Sequence, residues 1–138
     1  MNANLIFWPV LAQITLTFVA FALLGVRKTR ALKDDKVDLA KAALDNDAWP
    51  ESVLKVSNNI RNQFQLPVIF YALCLVYFSL GVVNIVVLSL AWAFVICRVI
   101  HAWIHMGSNF VPARFRVFLI GFTVLVIMTI FAIKALLA

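Results

Sequence analysis

Arg98, His101 and His105 stand at i, i+3 and i+7 in an otherwise apolar run. If that run is helical they share one face. Arg61 and Asn62 open the preceding apolar run, and Arg114 opens the following one. Three apolar runs therefore bring cations and amides toward one region, whereas all six acids (Asp34, Asp35, Asp38, Asp45, Asp47, Glu51) lie between the first run and the second. Ionisable residues in or beside an apolar span are costly to bury, so they pair, snorkel or work. One reading makes the arginines interfacial anchors that reach for phosphate headgroups. The other is a cationic pocket without a matching carboxylate, which implies an anionic ligand held by guanidinium groups. His101 and His105 form H-x-x-x-H, a spacing that can place two imidazoles on one metal. No H-E-x-x-H glutamate, third histidine or nearby carboxylate accompanies them, so no metal is expected, and the pair is read as hydrogen-bonding to a polar ligand.

The elements that carry these residues follow from composition. The chain has 138 residues, 64% hydrophobic and 13% charged, against about 45–50% and about 25% in ordinary soluble domains. A soluble chain this short could not hide that much apolar surface, because small domains bury only about two-thirds of theirs. Lipid is the implied solvent. A soluble enzyme, a disordered regulator and a collagen-like fibre are excluded. Cys74 and Cys97 both lie in apolar runs, read as core, so no disulfide framework is indicated.

A spanning helix needs about 20 predominantly apolar residues. Four runs approach that length, at about 5–26, 64–83, 85–105 and 117–137. The expectation is an all-α, integral membrane four-helix bundle, one domain over residues 1–138. The first run is too long, and begins too neutral, for a cleaved signal peptide. Gly81 and Asn84 mark a tight hairpin between the second and third runs, and Gly107, Ser108, Asn109 and Pro112 break the chain before the fourth. With both termini outside, 11 of the 12 Lys and Arg residues fall on the inner side, Lys36 among them, and only Lys134 outside. That is the distribution positive-inside topology requires. It also disposes of nucleic acid as a partner despite the net charge of +6, since a nucleic-acid binder gathers its basic residues on a polar module.

The long first loop, about 27–63, is then cytoplasmic, in a bacterial inner membrane or a eukaryotic endomembrane. Within it Val37, Leu39, Ala40, Ala43 and Leu44 recur near helical spacing. That stretch is a short amphipathic helix on the membrane surface, a cytoplasmic extension of the first span, or a solvated connector. Trp49-Pro50 interrupts it, because the residue before proline disfavours helix. Residues 52–62 lead helically into the second span.

The whole chain resembles the MAPEG family, membrane-associated proteins in eicosanoid and glutathione metabolism. The local motifs are Arg61-Asn62-Gln63-Phe64-Gln65 with Pro67, then Arg98-x-x-His101-x-x-x-His105, then Arg114 nine residues on. The resemblance implies a homotrimer with sites between neighbouring subunits, glutathione as cosubstrate, and thiolate attack on a lipophilic electrophile by a transferase or peroxidase. It further implies glutathione contacts from Arg61, Asn62, Gln65, Arg98, His101 and His105, with Arg114 as the catalytic residue that holds the thiolate. Arg27 or Arg30 matches a first-helix arginine. Two positions depart from the glutathione-binding members: Gln65 replaces a glutamate and His105 a tyrosine. A non-catalytic scaffold, an accessory subunit of a larger membrane complex and an anionic-lipid binder are the alternatives.

Overall fold

The computed structural model describes residues 1–35 and 37–137, so Lys36 lies outside the described residues. Every regular element among the described residues is helical. A 3₁₀ turn over Ala3–Ile6 leads into α1, Phe7–Lys33. At 27 residues, α1 is about 40 Å long, more than the roughly 30 Å of hydrocarbon in a bilayer. Its last turns, with Arg27, Lys28, Arg30 and Lys33, continue the first apolar run into polar sequence.

The segment around residues 37–44 forms only one helical turn, α2, Leu39–Ala42, capped by the Asp38 side chain. Leu39 and Leu44 are exposed. With none of its residues buried, a helix this short has little to offset its nucleation cost, and the stretch is a connector. A 3₁₀ turn, Asn46–Ala48, then runs to Trp49, whose ring lies 4.4 Å under the Lys28 ammonium. Pro50 caps α3, Glu51–Gln63. The apolar face of α3 (Val56 and Ile60) packs with Ala20, Leu23 and Leu24 of α1. Arg27 pins this junction, donating to the Ser52 carbonyl at 2.6 Å and the Met106 carbonyl at 3.0 Å.

The backbone breaks at Phe64-Gln65 and resumes as α4, Leu66–Ser79, with Pro67 in the first turn where no amide donor is needed. The expected run of 64–83 is thus realised as 14 helical residues, about 21 Å. It ends in a Schellman closure: Val82 N–H donates to the Tyr77 carbonyl and Gly81 N–H to the Phe78 carbonyl. Gly81 takes φ +68°, which a residue without Cβ adopts freely. Asn84 caps α5, Ile85–Met106, by accepting from Val87 N–H at 3.0 Å.

The last helix, α6, spans Val111–Leu137, and so starts six residues before the apolar run expected from 117. The connection narrows from 106–116 to Gly107–Phe110, because Pro112 fits the first turn of a helix rather than breaking one. Three helical stretches are long and apolar enough to cross a membrane: Ala3–Lys33 (the 3₁₀ turn with α1), Ile85–Met106 (α5) and Val111–Leu137 (α6). Their outward faces carry exposed large apolar side chains, among them Phe18, Phe122 and Trp103, the last 81% exposed. Lipid, not water, suits such a surface.

The main core lies among α4, α5, α6 and the N-terminal turn. Phe70 stacks on Phe94 with ring centroids 4.7 Å apart. Cys74, Tyr77, Ala91, Leu125 and Met128 close around them, and the Tyr77 hydroxyl donates to the Met128 carbonyl at 2.6 Å. Gly121 faces Cys97 and Phe94 where α5 and α6 meet.

Candidate functional site

One buried stripe runs the length of α5: Val87, Ala91, Phe94, Val95, Arg98, His101, Ala102, His105. Its spacing of three and four residues is that of a single helix face. Toward Asn84 the stripe is apolar. From Arg98 onward it is mostly polar, and Arg98, His101 and His105 are each 97–98% buried.

Arg98 is received by the end of α3. Its Nη2 donates to the Asn62 carbonyl at 3.1 Å, one of the last carbonyls of a helix, which lack intrahelical partners and carry the negative end of the helix dipole. The guanidinium has no such company on its other side. Nε and Nη1 are buried without a partner, and no carboxylate of the described residues pairs with them. A buried cation so placed is expensive unless an anion joins it.

Asn62 does more than accept from Arg98. Its side-chain Nδ2 lies 3.2 Å from the Asn58 carbonyl and 3.3 Å from His105 Nδ1. An amide nitrogen only donates, so His105 accepts at Nδ1 and carries its proton on Nε2. The His105 ring meets His101 edge-on, with centroids 5.5 Å apart. The His101 ring is buried with Phe118 6.2 Å away, and the backbone of Arg114 in α6 is the hydrogen-bonding group that approaches it.

Arg114 arrives from the first turn of α6. Its Nη1 donates to Asn109 Oδ1 at 2.6 Å. Asn109 has φ +55°, a left-handed conformation that asparagine tolerates, and its N–H donates to the Ile104 carbonyl at 2.7 Å. Gly107 makes the preceding turn possible, since a Cβ there would sit 2.9 Å from the Trp103 carbonyl oxygen. Between these elements is a cavity of about 180 Å³ lined by Asn62, His101, Val111, Arg114, Phe115 and Phe118. Asn62, His101 and Arg114 are its polar lining and Val111, Phe115 and Phe118 its apolar lining.

The structure therefore gathers Asn62, Arg98, His101, His105 and Arg114 at one end of the bundle. Arg61 and Gln65 do not join them. Both are exposed, and neither lines the cavity. Arg27 is committed to the α1–α3–α5 junction, and with Arg30, Asp34, Glu51 and Lys55 it borders a separate cavity of about 490 Å³. There Lys55 pairs with Glu51 at 2.8 Å. That hydrogen bond, and the lysine charge behind it, hold the Glu51 carboxyl below its ordinary range.

Sequence reasoning passed over a second polar group. Gln13 of α1 is fully buried and donates to Gln63 Oε1 at 2.7 Å, while Gln63 donates to Asn59 Oδ1 at 3.1 Å. Gln13 Oε1 and Asn59 Nδ2 remain unpartnered. The available signal was a glutamine within an uncharged apolar run of spanning length. Asn109 was legible as a turn residue but not as the acceptor for Arg114.

The family model of the MAPEG family matches residues 5–134. No curated protein and no solved structure matches the chain.

Proposed function

The chain belongs to the MAPEG family, and from that premise we propose that it is a glutathione-dependent membrane enzyme acting on lipophilic electrophiles by thiolate attack. The observation that carries this reading is Arg98: a guanidinium almost wholly out of water, its Nε and Nη1 unpartnered, and its Nη2 on the carbonyl of Asn62, which lines the cavity together with Arg114. Glutathione carries net negative charge, and arginine binds carboxylates through paired hydrogen bonds. Arg98 is the deep anchor, with Asn62 holding it and His105 in place.

Only the thiolate of glutathione attacks, and a neighbouring cation favours that form. Arg114 is the residue for this task. It stands in the first turn of α6, where the helix dipole adds positive potential, and Asn109 fixes its reach. Phe115, Phe118 and Val111 supply the apolar wall for an electrophile that dissolves in the bilayer.

The fuller architecture belongs to the same proposal. α4 is the fourth span, short in itself and prolonged by the apolar residues after it. Both termini face outward and the long loop is cytoplasmic, in a bacterial inner membrane. The functional unit is a homotrimer, in which the exposed Arg61 and Gln65 face a neighbouring copy.

The test is stopped-flow ultraviolet absorbance of the purified protein mixed with glutathione near neutral pH. A saturable thiolate signal is expected, and Arg114→Ala should abolish it while the oligomer stays intact. No signal from an intact oligomer would overturn the reading. A second reading, a non-catalytic accessory subunit of a membrane complex, is favoured by one observation. Gln65, an amide where the glutathione-binding members have a carboxylate, lies exposed and outside the cavity. That reading requires Arg114→Ala to be silent and a partner to co-purify in mild detergent.

A further inference from the structure

Gln13 is fully buried in α1, within an uncharged apolar run where a leucine would serve membrane insertion better. Its Nε2 donates to Gln63 Oε1 at 2.7 Å, and Gln63 Nε2 donates to Asn59 Oδ1 at 3.1 Å. All three amides are at least 99% buried. The ladder is open at both ends, with Gln13 Oε1 and Asn59 Nδ2 lacking a partner among the described residues. Interhelical hydrogen bonds of this kind add little net stability in a membrane, and the open ends subtract from it. Stability does not account for the glutamine, so its use lies in geometry.

α3 is fastened to α1 at both ends. At its start Arg27 donates to the Ser52 carbonyl at 2.6 Å, and at its end Gln63 accepts from Gln13. Between these points Val56 and Ile60 pack with Ala20, Leu23 and Leu24. Apolar packing tolerates a slide of one helix along the other, since successive turns offer similar ridges and grooves. A hydrogen bond with a required length of about 3 Å does not. The helix then breaks at Phe64-Gln65, so α3 has no rigid continuation into α4 to set its register.

Gln63 follows Asn62, whose carbonyl receives Arg98 and whose side-chain amide meets His105. We propose that Gln13 is a positioning residue for the anion site: through Gln63 it fixes the end of α3 against α1, and so holds Asn62 where Arg98 and His105 require it. A single buried Asn sets register in coiled-coil seams at a cost in stability, and Gln13 plays the same part here. With an apolar residue at position 13, the end of α3 is free to shift along α1 and takes Asn62 with it. The ligand is the glutathione of the reading above, on which this proposal rests.

The experiment titrates the purified oligomer with glutathione, reads the thiolate by ultraviolet absorbance, and compares Gln13→Leu with Val56→Ala. A misplacement of about 1 Å can cost about 100-fold. In Gln13→Leu the concentration at half-saturation should rise by about tenfold or more, while the saturating amplitude, which depends on Arg114, stays that of the wild type. Gln13→Met, closer in shape, repeats the comparison should leucine disturb α1. Val56→Ala thins the same helix packing and leaves the ladder alone. It should lower the thermal unfolding midpoint and keep half-saturation within about twofold of wild type. In a Gln63→Leu background Gln13→Leu should add nothing. Unchanged half-saturation in a folded Gln13 variant, an equal rise in Val56→Ala, or a fully additive effect on Gln63→Leu overturns the positioning role and leaves the glutathione reading standing. Nitrogen-15 NMR of the His105 ring reads the same positioning without glutathione. The wild type should carry its proton on Nε2, and Gln13→Leu should mix the two tautomers. A wild type that forms no thiolate overturns the glutathione reading, and the ring spectrum then decides the role of Gln13: an unchanged tautomer overturns that as well.

Discussion

The two halves of α5 are cut from one helix and present one continuous face, yet they are held in opposite ways. Toward Asn84 the face buries Val87, Ala91, Phe94 and Val95 against α4 and α6, where Phe70, Leu125 and Met128 fill the space. Toward Met106 the same face buries Arg98, His101 and His105, and there the partners are sparse. The Nε and Nη1 of Arg98 have no partner. The first half is a packed apolar core. The second is open in the chemical sense: burial has been imposed on polar atoms that this chain only partly satisfies. Apolar side chains gain from contact with any shape-matched neighbour, whereas polar ones need partners with particular geometry. An unfinished polar half beside a packed apolar half is where the ligand proposed above would bind.

Phe94→Ala should produce the largest effect and strike only the closed half. The ring is fully buried and stacked on Phe70, and such truncations cost about 3–5 kcal/mol. The thermal unfolding midpoint in detergent should fall accordingly. A fall of less than 1 kcal/mol would show that the apolar half is loosely packed and the contrast unreal.

Arg98→Met should act with the opposite sign. Replacing a buried, half-satisfied charge with an apolar chain of similar length is neutral or stabilising, by up to about 4 kcal/mol. The unfolding midpoint without glutathione should hold or rise, and the extra stabilisation that glutathione gives the wild type should vanish. A large loss of stability without ligand would mean that Arg98 is a structural strut, and the polar half would lose its claim to be a binding site.

The smallest effect belongs to the exposed Glu51–Lys55 pair, outside both halves. The Glu51 carboxyl is held below its ordinary 4.5 by the hydrogen bond from Lys55 and then by the lysine charge. A depressed carboxyl contributes stability that is fully present above its ordinary value and is lost as pH falls through the lowered one. Carboxyl NMR should show Glu51 titrating below a free glutamate, and Lys55→Gln should return it upward. Thermal stability near neutral pH should barely respond, since exposed pairs contribute little. A marked destabilisation would place this junction in the core after all.

The run of charges and apolar stretches was legible because lipid imposes a composition. A chain whose backbone must satisfy itself within each span reads as helices from hydropathy alone. The spacing of Arg98, His101 and His105 put them on one face for the same reason: 3.6 residues per turn is a local property. Helix ends were less legible. Pro112 read as a breaker, though in the first turn of α6 it is an asset, and the apolar residues after Ser79 belong to a turn closed by Gly81. Whether Pro or Gly stops a helix or starts one depends on which amides have partners, and that is decided by the neighbouring chain.

By itself, the sequence determined that this is an α-helical membrane protein of the MAPEG family, with its cations concentrated around one end of the apolar runs. Composition and periodicity are sums over near neighbours along the chain, so no fold is needed to read them. Only the tertiary structure decided which polar groups meet. It joined Asn62 to both Arg98 and His105, buried His101 against a cavity, left Arg61 and Gln65 on the surface, and buried Gln13 against Gln63. These are contacts between residues up to 50 positions apart. Hydrogen bonds act over about 3 Å, a distance that chain spacing does not encode.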